Sequence, residues 1–150
     1  MTVRPMTYKD IPTLITLGAD MHKESRYSHL DFQPTKLMEL GEMILSNPDT
    51  YFTLVYDDGE IKGFVIGYIY PHFFGNDLTS GDLAVYVLPE HRKGRVGIKL
   101  IVAYAEHCKK LGVKEPVLGV SAGVLSEKVG KLYERLGFTD KFQVYRMPSL

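Results

Sequence analysis

Leu83-Ala84-Val85-Tyr86-Val87-Leu88-Pro89-Glu90-His91-Arg92-Lys93-Gly94-Arg95-Val96-Gly97 is the stretch that decides the fold. Its first six residues are almost wholly apolar and of strand length, which predicts a strand buried on both faces and ended by Pro89. From Val96 onward the apolar positions Leu100, Ile101, Tyr104, Cys108 and Leu111 recur at three and four residues, and Gly112 supplies a stop, so a helix follows. The segment from Arg92 to Gly97 therefore joins a strand to a helix.

Outward from this unit, Val117 to Val120 reads as a short strand, Ser126 to Leu136 as a helix ending at Gly137, and Phe142 to Met147 as a last strand. Upstream, Tyr51 to Tyr56 and Ile61 to Tyr70 are β-rich runs joined by Asp57-Asp58-Gly59-Glu60, a hairpin signal. Before them come a short strand over Thr2 to Met6, a helix capped by Thr7 or Asp10 that carries Ile11, Leu14, Ile15 and Leu17, and a helix opened by Pro34 and ended by Asn47-Pro48-Asp49. The predicted order is β-α-α-β-β-β-α-β-α-β: an α/β fold with a mixed central sheet of about six strands and helices on both faces. Strand, helix and strand from Leu83 to Val120 form a right-handed parallel crossover, which sets the Arg92 loop at the C-terminal edge of the sheet, where α/β folds bind ligands.

The chain has 150 residues, 45% of them hydrophobic and 24% charged, which fits one globular domain over residues 1–150. A formal net charge of zero argues against nucleic-acid binding through a large basic surface. The single cysteine, Cys108, cannot form an internal disulfide, and no Cys/His cluster has zinc spacing, so no metal is expected. No apolar run approaches the ~18 residues of a membrane span and the N-terminus lacks a signal-peptide core, so the expected setting is cytoplasmic and without a membrane.

Charge is uneven locally. Arg92, Lys93, Arg95, Lys99, Lys109, Lys110 and Lys114 face the single acid Glu106 between His91 and Lys114. A solvated helix face and a polyphosphate site both account for this. The loop after the strand offers N–H groups that the helix itself cannot satisfy, in the field of the helix dipole, and Gly94 and Gly97 allow close approach of a ligand or a neighbouring strand. It is neither a P-loop nor a dinucleotide fingerprint, since neither spacing is present.

The run Val87 to Leu100 resembles the acetyl-CoA-binding segment of the GNAT superfamily of N-acetyltransferases, whose signature is [QR]-x-x-G-x-[GA]. Arg92 and Gly97 occupy its ends, while Arg95 stands in place of the first glycine, with Gly94 beside it. Lys131-Leu132-Tyr133-Glu134-Arg135-Leu136-Gly137-Phe138 is similar to the family's Leu-Tyr-x-x-x-Gly-Phe segment, and Val3-Arg4-Pro5-Met6 with Asp10-Ile11 to its opening strand and helix.

The resemblance implies that acetyl-CoA is the co-substrate, held by the backbone of Val85, Tyr86 and Val87 and by the loop residues Arg92, Lys93, Gly94, Arg95, Val96 and Gly97. Ser126 falls where the family often has a cofactor-contacting asparagine, although a serine there also serves as an N-cap. It further implies direct attack of a neutral amine on the thioester, with Tyr133, a phenol of reference pKa about 10, protonating the departing thiolate. Asp82, Glu24, His22 and His29 are the candidate bases by chain position, and Asp82 is the one adopted. The acceptor pocket is expected from the segments His22 to Gln33 and Pro71 to Ser80, with Glu24, Tyr27, His29 and Phe73 as its binding residues. The acceptor is a small-molecule amine or a peptide or protein amine, and similar proteins are often homodimers. Arg95 within the signature keeps a second reading open, a non-catalytic acyl-CoA-binding sensor or interaction module.

Overall fold

A computed structural model describes residues 3–120 and 126–148. It contains β1 (Val3–Pro5), α1 (Ile11–Glu24), α2 (Pro34–Ser46), β2 (Tyr51–Asp57), β3 (Ile61–Pro71), β4 (Leu78–Val87), α3 (Val96–Lys110), β5 (Val113–Glu115) and α4 (Ser126–Arg135). The strands form one sheet in the order β1-β2-β3-β4-β5, antiparallel except for the parallel β4–β5 pair. None of the described helices is long and apolar enough to cross a membrane.

Alternation along the strands builds two cores, one per face of the sheet. Phe52, Leu54, Val65 and Ile69 pack with Val96, Leu100, Tyr104 and Cys108 of α3. Val55, Phe64 and Tyr86 pack with Ile11 and Leu17 of α1 and Ile44 of α2 on the other. Leu100 and Ile101 are almost wholly buried, which at the usual scale stabilises the fold by about 1.5–3 kcal/mol per side chain. The β2–β3 hairpin turns at Gly59, whose φ of 118° is a conformation few L residues adopt, and Asp57 accepts its N–H at 2.9 Å. At the N-terminal end, the Asp10 carboxylate takes the Thr7 N–H at 2.7 Å and both arms of the Arg4 guanidinium, tying β1 to the entry of α1.

Three expectations are corrected. The sheet has five strands, not about six, because Phe142 to Met147 pairs with no described strand: Phe142 and Val144 are 71% and 93% exposed. The alternating pattern was present, but β5 is three residues long and offers almost no ladder to join. The strand expected at Val117 to Val120 lies earlier, at Val113–Glu115. Pro116 follows it and has no N–H to donate, so the ladder with β4 stops after Thr79↔Glu115.

Nor is Leu83 to Leu88 buried on both faces. β4 starts at Leu78, so Leu78 to Ser80 belong to the strand rather than to a loop, and a register shift pairs Ile66 with Ala84 but Gly67 with Asp82. Leu83 is thereby the extra residue of a β-bulge, 49% exposed, while Val85 and Val87 are half-buried and Tyr86 is buried.

Candidate active site

Beyond Glu115 the chain separates from β4, and side chains fill the gap instead of a ladder. The Tyr104 hydroxyl donates to Val117 O at 2.7 Å and bonds Ser80 Oγ at 2.8 Å, while Val117 N–H donates to Ser80 Oγ at 3.2 Å. Asp82 Oδ1 accepts the Gly119 N–H at 2.6 Å, and the Tyr133 hydroxyl donates to Gly119 O at 3.3 Å. Four side chains from β4, α3 and α4 thus hold one short segment off the sheet. No described strand lies along this edge of β4 from Ser80 to Val87.

Asp82 and Tyr133, far apart in sequence, meet on the two sides of the Gly119 peptide. Burial raises the Asp82 pKa, against the Gly119 N–H, which lowers it. Burial likewise raises that of Tyr133, and the neighbouring Asp82 charge adds to the effect, so its phenol stays protonated across the neutral range.

The β4 edge ends at a turn over Pro89–His91, after which α3 begins. Among the described residues, no well-formed hydrogen bond engages the N–H groups of Lys93 to Ile98, which follow one another through turns into the helix; the first well-formed bond of the new helix is Lys99 N–H to Arg95 O at 2.9 Å. These N–H groups lie at the positive end of a 15-residue helix. A Cβ added at Gly94 would meet nothing closer than His91 O at 3.8 Å, and neither Gly94 nor Gly97 has a positive φ. The fold by itself does not demand glycine at 94. Arg95 adopts φ −95°, ψ 0°, open to any L residue, and its side chain is exposed. Its substitution for glycine costs the backbone nothing.

Arg92 is committed elsewhere. Its Nε donates to Val87 O at 2.8 Å, its two terminal nitrogens reach the Glu24 carboxylate, one at 2.7 Å, and its guanidinium lies 5.4 Å from the Tyr86 ring centre. The Tyr86 hydroxyl donates to Glu24 at 3.1 Å. Hydrogen bonding from Arg92 lowers the Glu24 pKa, and burial with the Glu24 bond raises that of Tyr86 to about 12. This links α1 to the loop, a contact between residues 68 apart that no sequence pattern announced.

The remaining expected residues separate. Tyr27 is half-buried beside α1, and His29 is exposed. Phe73 stacks on Phe74 with ring centres 4.2 Å apart, is 84% exposed, and belongs to the β3–β4 connection, at the opposite end of β4 from the Arg92 loop. Ser126 opens α4, and its side chain lies outside the described residues.

The sequence model of the acetyltransferase (GNAT) family matches residues 18–138. The chain belongs to that family, whose general chemistry is acetyl transfer. Among curated proteins none matches. Solved structures of similar fold include an acetyltransferase of Trypanosoma brucei (22% identity, 98% of each chain covered, TM-score 0.74). A ribosomal-protein-alanine N-acetyltransferase from Brucella melitensis biovar Abortus shares 20% identity over 98% of this chain and 97% of its own, at TM-score 0.74. The glucosamine-6-phosphate N-acetyltransferase of Arabidopsis thaliana is 20% identical over 98% and 97%, at TM-score 0.76.

Proposed function

We propose that the protein is an acetyl-CoA-dependent N-acetyltransferase acting on a primary amine, with the loop from Lys93 to Gly97 receiving the CoA diphosphate. The observation that carries this reading is the run of N–H groups from Lys93 to Ile98 that have no well-formed hydrogen bond among the described residues, at the start of α3 and adjoining the open edge of β4. Such a run is complementary to a diphosphate. The free space over Gly94 fits a group of that size against the backbone.

When bound, acetyl-CoA supplies an activated thioester carbonyl. The open edge at Val85 to Val87 holds the pantetheine arm by backbone hydrogen bonds, and a β4 N–H stabilises developing charge on the carbonyl oxygen. Asp82, with its raised pKa, accepts a proton from the incoming amine more readily than an ordinary carboxylate does. Tyr133, held protonated and directed to Gly119 O, would give its hydroxyl proton to the CoA thiolate as the C–S bond breaks, and regain one from solvent. Glu24 is unsuited to be the base, since Arg92 holds its pKa down.

The test has two arms. Acetyl-CoA should raise the melting temperature of the wild type and do so much less for Gly94→Val; equal rises would remove the diphosphate from this loop. Thioester turnover with an amine panel should fall in Tyr133→Phe with CoA affinity retained. Tight CoA binding without turnover on any amine would favour a sensor or interaction module instead.

A further inference from the structure

On the face of the sheet opposite α3, the packing of α1 and α2 leaves a cavity of about 260 Å³. Its walls include Leu14 and Met21 of α1, Leu40 of α2, Phe64 and Ile66 of β3, and Ala84 of β4. Gly18, Gly41 and Ala84 are among its lining residues. The two glycines let α1 and α2 pack closely on each other, since a Cβ at Gly18 would come 2.9 Å from Leu37 and one at Gly41 3.1 Å from Ile11. The cavity reaches Leu83, the half-exposed bulge residue two positions before Val85.

Among the described residues, no Asp, Glu, Lys or Arg lines this space. His22, Ser25 and Tyr27 from the end of α1 and the residues after it, and Thr53 of β2, are the polar residues of the lining; His22 is already engaged with Leu30 O at 2.7 Å. A polycationic body would be buried there without a carboxylate and a phosphorylated one without a cation, and an unpaired buried charge costs several kcal/mol. An apolar cavity of about 150 Å³ already takes a benzene ring. This one is larger and opens beside the backbone that the acyl-transfer reading gives to the thioester.

We infer that the cavity between α1, α2 and β4 holds the uncharged, apolar body of the acceptor, so that the substrate class is a monoamine carried on an aliphatic or aryl group, with Ala84 and Leu40 setting the size it admits. The inference rests on the acyl-transfer function proposed above. It places the acceptor on the α1 face of β4 and the CoA arm along the open edge of the same strand, meeting at the bulge. Side chains at Ala84 and Tyr86 face the α1 side, while those at Val85 and Val87 face α3.

The test is kcat/KM with acetyl-CoA for methylamine, butylamine and 2-phenylethylamine, beside spermidine and glucosamine 6-phosphate. Burial of each added methylene should raise kcat/KM about fourfold, the equivalent of about 0.8 kcal/mol, and spermidine and glucosamine 6-phosphate should fall at or below methylamine. Ala84→Ile and Leu40→Phe fill the cavity from different walls, so one serves if the other fails to fold. Either should cut the phenylethylamine-to-methylamine ratio at least tenfold, mainly through KM. Preference for spermidine or glucosamine 6-phosphate, or a ratio unchanged in both variants, would overturn the inference. So would a cavity-dependent gain that follows the acyl chain, read by comparing octanoyl-CoA with acetyl-CoA. If no amine turns over, the acyl-transfer reading fails by itself, and binding then decides the cavity. A melting-temperature rise with 2-phenylethylamine in wild type but not in the filled variants supports an apolar occupant, and an equal response overturns it.

Discussion

Arg92→Gln separates two roles that the family signature alone leaves merged. In the structure this guanidinium braces the loop: it holds Val87 O and the Glu24 carboxylate and lies over Tyr86. The side chains of Arg92 and Glu24 are 18% and 31% exposed. That is between a surface pair, worth about 0–1 kcal/mol, and a buried pair whose breakage costs about 3–5 kcal/mol. A loss of about 2 kcal/mol follows, which for a chain of this length lowers the melting temperature by roughly 4–8 °C. Glu24→Gln keeps an acceptor but loses the charge, so it should lose about half as much, and the double variant should lose less than the sum. If about 1 kcal/mol of the brace is needed to keep the loop in its binding form, the CoA Kd rises about fivefold in each single variant. Thermal melts and calorimetric titration with CoA read both quantities. A direct phosphate contact predicts the reverse pattern: Arg92→Gln melting within about 1 °C of wild type, and Glu24→Gln binding CoA more tightly because it releases the arginine. That pair of results would refute the brace.

Asp10 should make stability pH-dependent in a defined window. Hydrogen bonding from Arg4, against the opposing effect of burial and helped by Thr7, lowers its pKa from 3.8 to about 2. A depressed carboxylate stabilises the fold fully above its unfolded value of about 3.9, and the contribution, about 2 kcal/mol, is lost as pH falls through 2. In urea melts Asp10→Asn should therefore cost about that much at pH 7 and almost nothing near pH 2; a constant difference at both would contradict it. Thr53 Oγ1 is buried and has no hydrogen-bond partner among the described residues. Thr53→Val removes that unmet group at nearly constant shape, and should raise stability by about 1 kcal/mol or 2–4 °C; a lower melting temperature would show that the hydroxyl has a partner. Tyr104→Phe strips a donor from Val117 O and a partner from Ser80. A loss of about 1–3 kcal/mol is expected, with faster amide exchange around Gly119 as the local signature.

Much of this molecule was legible in one dimension. The three- and four-residue spacing from Val96 defines α3, Asp57-Asp58-Gly59-Glu60 defines the hairpin, and the Arg92 loop falls at the end of β4 as its neighbours required. What escaped depends on partners. Thr79 and Ser80 read as loop because they are polar, yet both are buried, Thr79 bonding Glu115 O at 3.0 Å and Ser80 bonding Tyr104. Phe142 to Met147 has strand chemistry but no described neighbour to pair with. The charge of Arg92 is visible in the sequence, but its engagement of Glu24, 68 residues away, is not. The apolar cavity is lined from two helices and from strands far apart in the chain, and no single segment carries that signal.

The bulge at Leu83 is the element that reconciles these parts. A regular β4 would continue one alternation from Ser80 to Val87, putting Ser80, Asp82, Ala84 and Tyr86 on the same face. With one residue inserted, the ladder has Asp82 opposite Gly67 and Ala84 opposite Ile66, and the alternation reverses between them. Ser80 reaches Tyr104 of α3 and Asp82 reaches Gly119, while Ala84 and Tyr86 pack with α1 and α2. One strand can thereby present its polar residues to the open edge and its small apolar residue to the cavity. Removing Leu83 should restore regular alternation, exchange the faces on one side of the deletion, and so disrupt either the Gly119 contacts or the α1 packing, whichever half of β4 yields. A Leu83 deletion that keeps both the cavity selectivity and the CoA-induced melting shift would show that the inserted residue does not set this division.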